Sequence, residues 1–374
     1  MTVRTVEVES LSDFDARIAR ARALDGWFVS SLDLHERSGP LLGVDVAGAV
    51  FLGCRFAGDV ADRLQGGGAL VFPALPDVPF DPYRPRLYDA DELYAVDARG
   101  ARPPYGESLD AAVYAWSGSP GARSLTGALA ATLHDHSISE ALDDATDGLD
   151  PRRLVGVMGG HALRRGEPAY AAAAELGAQL TRAGATVLTG GGPGAMEAAN
   201  LGAYLSPWSD AERAEAVALL GRTPGYDRAA GGLDGWLDAA FAVRQRWPAD
   251  AAGASLSIPT WFYGHEPSNA FATAVAKCFA NALREDTLLH RCRGGIVYLP
   301  GQAGTVQEVF QAVTDNFYAA DVATVAPLVL VGTDYWTQTL PVWPLLRRLA
   351  QGRSMASAVH CVDDVAEAVR LLGA

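Results

Sequence analysis

A chain of 374 residues, taken at about 150 residues per domain, has room for two domains or for one large domain with an appendage. Hydrophobic content of 49% against charged content of 20% excludes a disordered chain and leaves material for a sizeable core. A formal net charge of −14, from 44 acidic and 30 basic residues, opposes contact with DNA or RNA phosphates over a broad surface, so no nucleic-acid partner is expected.

Lys277 is the only lysine, so any phosphate clamp is expected to be guanidinium. Cys54, Cys278, Cys292 and Cys361 lie far apart in largely apolar surroundings, which fits buried thiols in a reduced, cytoplasmic protein and not a disulfide framework or zinc cluster. The N-terminus has no basic flank followed by an apolar stretch, and no run of 18 apolar residues occurs, so neither a signal peptide nor a membrane span is expected.

In chain order, Ser12 to Leu24 reads as a short helix and Trp27-Phe28-Val29 as the start of a strand. The stretch from Gly43 to Phe56 resembles one or two turns of a pentapeptide-type coil. Five prolines between Pro73 and Pro85 require an extended connection. Ser108 to Trp116 and Ser124 to His134 read as helices, with His134-Asp135-His136 at the end of the second, where no third ligand has a telling spacing for a metal. Residues 1–150 are expected to form an accessory domain, closed by the linker Asp147-Gly148-Leu149-Asp150-Pro151.

From Arg153 onward strands and helices alternate. Leu154 to Met158 is a strand ending in Gly159-Gly160-His161, Pro168 to Arg182 a helix, Ala185 to Leu188 a strand ending in Gly190-Gly191-Gly192-Pro193-Gly194, and Ala195 to Tyr204 a helix. An insertion over 206–253 carries two helices, Asp210 to Leu220 and Leu233 to Trp247, as a lid, a scaffold or an oligomer contact. Then come a strand at Ala254 to Ile258, a long helix from Ser268 to about His290, a strand at Gly295 to Leu299 and a helix over 305–319. The strand Ala326 to Val331, the helix Tyr335 to Gln351, the strand Val359 to Val362 and the helix Asp363 to Leu372 complete the pattern. Such alternation implies an α/β fold, a Rossmann-like doubly wound parallel sheet over 151–374 preceded by the accessory domain.

Ligands of such sheets sit beyond the carboxyl ends of the strands, and the glycine turns at 159–160, 190–194 and 301–304 all occupy such ends. Glycines let a ligand approach backbone N–H groups at a helix start, which suits a phosphate. The polar groups available there are His161, Glu197, Tyr263, His265, Glu266, Asn269, Asn281, Arg284, Glu308 and Asp315. The absence of G-x-x-x-x-G-K-[ST] excludes an ordinary P-loop NTPase, Gly159-Gly160-His161-Ala162-Leu163 does not make a G-x-G-x-x-G fingerprint, and Lys277 in mid-helix does not suit a pyridoxal Schiff base.

The pair G-G-G-P-G-A-M-E-A-A at 190–199 and P-G-Q-A-G-T-V-Q-E at 300–308 resembles the Lonely Guy family and its relatives, the bacterial nucleotide 5′-monophosphate nucleosidases, often labelled possible lysine decarboxylases. The resemblance covers about residue 153 to the C-terminus. It implies a hydrolase, a phosphoribohydrolase that cleaves the N-glycosidic bond of a nucleoside 5′-monophosphate without metal or redox cofactor, and a homodimer with sites near the subunit interface. It implies Glu308 and Arg284 as catalytic residues, with Arg284 holding either the phosphate or the departing base. Gly160, His161, Gly191, Gly192, Gly194, Met196, Glu197, Gly301, Gln302, Ala303, Gly304 and Thr305 would seat the substrate and its phosphate. His265, Asn269 and Asn281 are expected near the base, although the Tyr263-to-Asn269 segment can equally serve to cap the long helix through Ser268.

A carboxylate near the ribose fits the chemistry, because the breaking bond leaves an oxocarbenium-like sugar. Two positions depart from the family: its second motif glycine is Gln302 here, and the lysine that usually follows the arginine is Glu285. They keep open a second reading, a nucleotide-binding sensor or carrier without catalysis.

Overall fold

A computed structural model of the chain describes residues 5–228, 232–262 and 266–373. They gather into two compact units. One comprises the chain up to Leu87 with Ala115–Ala145, the other Tyr88–Tyr114 with the chain from Thr146 onward. The segment 88–114, expected within the first 150 residues as part of one domain, packs with the second unit.

The first unit repeats one pattern. β1 (Val6–Val8), α1 (Leu11–Ile18), β2 (Trp27–Ser30), α2 (Ser38–Leu42), β3 (Val50–Leu52), α3 (Val60–Gly66) and β4 (Leu70–Phe72) alternate, and the strands pair in parallel in the order β1-β2-β3-β4. Val8, Trp27, Val29 and Phe51 point inward with Phe14, Ile18, Leu41 and Leu64 from the helices. Gly26, Gly48 and Gly68, spaced 22 and 20 residues apart, precede β2, β3 and β4 with positive φ. Gly26 N–H donates to the Gly48 carbonyl and Gly48 N–H to that of Gly68, each at 3.2 Å. The Gly43-to-Phe56 stretch is therefore one rung of a longer strand-helix repeat and not a pentapeptide coil. α1 stops at Ile18, short of the expected Leu24, because the N–H of Leu24 is taken by the Asp45 carbonyl of the next rung at 2.7 Å.

After α4 (Ala90–Leu93) and α5 (Leu109–Ser117), α6 runs from Leu125 to Thr146, about three turns beyond the expected end at His134. His134-Asp135-His136 thus lies in mid-helix. His134 is buried edge-on to Phe80 at 5.2 Å, and that burial holds its imidazole below the ordinary histidine range.

The second unit holds a seven-stranded, all-parallel sheet in the order β11-β10-β9-β5-β6-β7-β8. Its strands are β5 (Leu154–Met158), β6 (Thr186–Thr189), β7 (Ser255–Ser257), β8 (Ala274–Val275), β9 (Gly295–Tyr298), β10 (Leu328–Val331) and β11 (Val359–Val362). The helices are α7 (Pro168–Arg182), α8 (Ala195–Tyr204), α9 (Asp210–Leu220), α10 (Gly232–Arg246), α11 (Asn281–Arg291), α12 (Ala303–Tyr318), α13 (Val342–Ala350) and α14 (Val365–Leu371). α7 packs with α8 and α14, while α12 packs with α11 and α13. With right-handed crossovers, these two groups cover opposite faces, which is the doubly wound arrangement. The strands β5, β9 and β10 are wholly buried and read as continuous apolar runs, as a sheet covered on both faces requires.

Two expected helices are corrected. The segment from Ser268 is extended, includes the edge strand β8, and becomes helical only at Asn281. Its residues 267–272 are buried throughout, so the run has no polar face to distinguish a helix from a buried strand. Asn269 also diverts the backbone, its side-chain oxygen accepting from the N–H groups of Phe271 and Ala272. The expected helix from Tyr335 to Gln351 is broken at Pro341, which lacks an N–H donor, into a wide turn at Tyr335–Thr339 and α13. Among the described residues no helix is long and apolar enough to cross a membrane.

Candidate functional site

The strand order reverses between β5 and β9. From β5 the chain winds outward through β6 to β7 and β8, then returns to lay β9 on the other side of β5. The connections leaving β5 and β9 diverge there, opening a crevice beyond their carboxyl ends.

Glycine turns line that opening. Gly160 N–H donates to the Pro300 carbonyl at 3.0 Å, and Ala195 N–H to the Gly160 carbonyl at 3.1 Å, so all three turns are tied together by main-chain bonds. Gly194 has φ of 71°, and a Cβ on it would lie 2.5 Å from the Gly160 carbonyl oxygen, which leaves no room for another residue. Gly301 faces the Thr305 hydroxyl just as closely, and Tyr335 Oη holds its carbonyl at 2.6 Å.

The crevice measures about 370 Å³, near the lower end of the range usual for small-molecule sites. Gly159–Ala162, Gly190–Gly192, Met196 and Gln302–Thr305 contribute to its lining, with Glu266, Arg284, Glu285 and Glu308 as its charged groups. Ala303 and Gly304 are exposed at the first turn of α12, whose N–H groups have no partner within the helix. His161 reaches across the mouth to Glu266, Nδ1 to Oε1 3.2 Å.

Arg284 and Glu308 meet on the crevice wall, 3.7 Å apart from Nη1 to Oε1, and both are buried rather than a surface pair. Burial, with the charge of Glu285 second to it, pushes the Glu308 carboxyl up to about 8, and the opposing pull of Arg284 does not overcome them. Burial likewise raises Glu285, which pairs with the same arginine at 3.0 Å. Burial in the crevice thus favours the protonated form of Glu308.

Several expected site residues stand elsewhere. Glu197 is buried against Arg165 in a two-point ion pair, with the guanidinium 4.2 Å from the Trp236 ring centroid, and it faces an adjoining cavity of about 260 Å³. Asn269 stands outside the crevice lining: its amide nitrogen bonds the Gly192 carbonyl at 3.3 Å and the Asn200 side chain at 3.0 Å, and its oxygen is occupied as described above. Asn281 accepts from Arg284 at 3.2 Å and so orients the arginine from behind. His265 and Tyr263 lie outside the described residues. Asp315 is exposed beside His290, away from the crevice. None of the described residues of the 206–253 insertion lines the crevice, but Pro224, Tyr226 and Trp236 wall the adjoining cavity.

Lys277 is not in a helix. Its ammonium is buried between Asp110, at 2.5 Å, and Ser268 Oγ, at 2.9 Å, and Trp261 Nε1 donates to the same aspartate at 3.0 Å. This network fixes the wall that carries Thr260 and Ser268. It was not legible in advance, since 167 residues separate its two charges.

Comparison with known proteins adds a short match. The model of the SLOG cluster4 family matches residues 152–206, the stretch from β5 through α8 that carries the G-G-G half of the resemblance but not the 300–308 half. No curated protein matches the chain. Among solved structures, the molybdenum cofactor binding protein from the phototrophic bacterium Rippkaea orientalis is similar at 20% identity, over 59% of this chain and 94% of that one, with a TM-score of 0.34. The molybdenum cofactor carrier protein from Chlamydomonas reinhardtii is similar at 20% identity, over 59% of this chain and 98% of that one, with a TM-score of 0.35. The chain is thus an α/β protein with a doubly wound parallel sheet, similar over residues 152–206 to the SLOG cluster4 family.

Proposed function

We propose that the crevice binds a nucleoside 5′-monophosphate and hydrolyses its N-glycosidic bond, giving free base and ribose 5-phosphate. The observation that carries this reading is the meeting of Arg284 and Glu308 where three glycine turns converge. The phosphate takes the N–H groups at the start of α12, with the Thr305 hydroxyl beside them. That places the ribose toward Glu308, one helical turn further along α12.

With its proton held to about pH 8, Glu308 is suited to protonate the departing base. Water then adds to the ribose C1′ and returns a proton to Glu308, so the step balances without an oxidant or a second substrate. Arg284 orients the carboxyl, and its positive charge stabilises the carboxylate that remains once the proton has gone to the base. The likeness to the Lonely Guy pattern at 190–199 and 300–308 supports the same assignment.

The test is chromatography of free base after incubation with a panel of nucleoside 5′-monophosphates, with Glu308→Ala alongside. Base release by the wild type and a loss of roughly 10²- to 10⁴-fold in the variant are expected. One observation favours a second reading, a carrier or sensor: Arg284 is already paired with Glu285, which leaves less of its charge for a transition state. Calorimetric binding of intact nucleotide with no base released would select that reading.

A further inference from the structure

The crevice has a neighbour. A second cavity, of about 260 Å³, adjoins it, and His161 and Ala162 line both. Alone it falls below the volume usual for a whole small-molecule site, and the crevice lies near the lower end of that range, whereas the two together fall well inside it. Burial raises the phenol of Tyr226, on the cavity's wall, above its ordinary range, and the charge of Glu266, on the crevice's wall, adds to the rise. Groups of the two spaces are thus within electrostatic reach of each other.

The cavity's walls divide into an apolar platform and one cation with donors to give. Leu163, Pro193, Pro224, Tyr226 and Trp236 supply the apolar surface, and Tyr226, partly exposed, stands edge to face with Trp236 at 6.0 Å. Arg165 is fully engaged: both oxygens of Glu197 and the Trp236 carbonyl, the latter at 2.8 Å, take its N–H groups. Its neighbour Arg164 is not. Among the described residues its side chain makes one ion pair, Nη2 to Asp227 Oδ2 at 3.3 Å, with 48% and 51% of the two side chains exposed, and such a pair contributes little and yields readily. A Cβ on Gly225 would lie 3.5 Å from the same Nη2, and Gly225 and Asp227 both line the cavity, so the guanidinium stands at its wall.

We propose that this cavity seats the base of the nucleotide and selects a 6-oxopurine, the ring lying on Tyr226 while Arg164 donates to the adjacent acceptors O6 and N7. This rests on the nucleotide reading above. Guanine and hypoxanthine present O6 beside N7, two acceptors that match the guanidinium fork, whereas adenine presents an amino group beside N7 and sets a donor against a donor. A phosphate does not suit the cavity, where Asp227 stands beside Arg164, while the start of α12 has no acid in its first turn. The ligand then runs from the start of α12, past Glu308, to His161 and the cavity.

The experiment is calorimetric binding of guanosine, inosine and adenosine 5′-monophosphates, and of ribose 5-phosphate, which has no base to place in the cavity, to the wild type, Arg164→Met and Tyr226→Ala. The wild type should bind the inosine compound roughly 10- to 100-fold more tightly than the adenosine compound, the range for a hydrogen bond to a charged group. That ratio should fall to about one in Arg164→Met, which has no donor. In Tyr226→Ala the lead of all three nucleotides over ribose 5-phosphate should shrink by roughly 5- to 100-fold, the range for a base stacked on an aromatic ring. A ratio unchanged in Arg164→Met, a lead unchanged in Tyr226→Ala, or a wild type that prefers the adenosine compound overturns this inference and leaves the nucleotide reading standing. A wild type that binds none of the nucleotides overturns both. The expected preferences without base release sustain the base subsite and remove the hydrolase.

Discussion

The two parallel sheets of this chain use the same ingredients to different ends. In the first unit, four strands are laid down in the order in which they occur, and the positive-φ glycines Gly26, Gly48 and Gly68 stand before the strands, bonding to one another. In the second unit the order reverses beside β5, and the glycine turns stand after the strands, at 159–160, 190–194 and 301. A sheet that never reverses offers a continuous face, while a reversal separates two connections and leaves a hole. Glycine in the first case relieves a turn. In the second it also leaves a crevice open beyond the strand ends.

If that contrast is right, substitutions at the reversal damage binding and stability together, and those on the repeat damage stability alone. The largest stability effect is expected from Arg284→Met, which leaves the buried Glu285 carboxylate without its cation; breaking such a pair typically costs about 3–5 kcal/mol. Denaturant unfolding measures it, and a loss below about 1 kcal/mol would mean that Glu285, like Glu308, is neutral in the fold.

Gly194→Ala and Gly48→Ala form a matched pair. Both residues have positive φ, which costs an L-residue about 1–2 kcal/mol. At Gly194 the new Cβ meets the main-chain carbonyl of Gly160, but at Gly48 it meets the movable side chain of Asp25. Gly194→Ala should therefore be the more destabilised and should also lose nucleotide affinity, whereas Gly48→Ala should bind as the wild type does. Equal loss of affinity in both would break the comparison.

The pH dependence of stability sharpens it further. Folded Glu308 keeps its proton up to about 8, whereas an unperturbed glutamate loses it near 4.5. Its contribution to stability is therefore complete below about 4.5 and is lost as pH rises through about 8. Glu308→Gln, similar in shape to the protonated acid, should flatten the fall of melting temperature across that window, with a smaller slope left by Glu285. A wild-type curve that instead rises from pH 4.5 to 8 would contradict a protonated Glu308.

The smallest effect is expected at Leu70 on β4, which is 59% exposed. Leu70→Lys should change unfolding free energy by less than about 0.5 kcal/mol and leave base release untouched. A larger loss would show that this face of the first unit is covered by something.

Much of the second unit was legible in the sequence because its signals are local. The helix Pro168–Arg182 is opened by a proline at its first position and closed before Gly184, and β5, β9 and β10 are short apolar runs ending in glycine or proline. The first unit was less legible. Its rungs are three or four residues of strand with little shared residue identity, and what repeats is the positive-φ glycine, a conformation and not a residue pattern.

At the site the same division holds. Residue order along the chain determined that glycine turns follow β5, β6 and β9, that Glu308 lies in the helix after β9, and that one lysine excluded a P-loop, whereas the start of the helix that carries Arg284 at Asn281 came from the structure. Only the tertiary structure decided that Glu197 pairs with Arg165, that Lys277 pairs with Asp110, and that Asn269 is consumed by the main chain. The same holds for Glu285, which shares an arginine with Glu308. Backbone turns and caps are settled within a few residues, so local chemistry specifies them. The partner and proton of a buried charge depend on which distant groups reach it after water has been excluded, and no stretch of sequence carries that information alone.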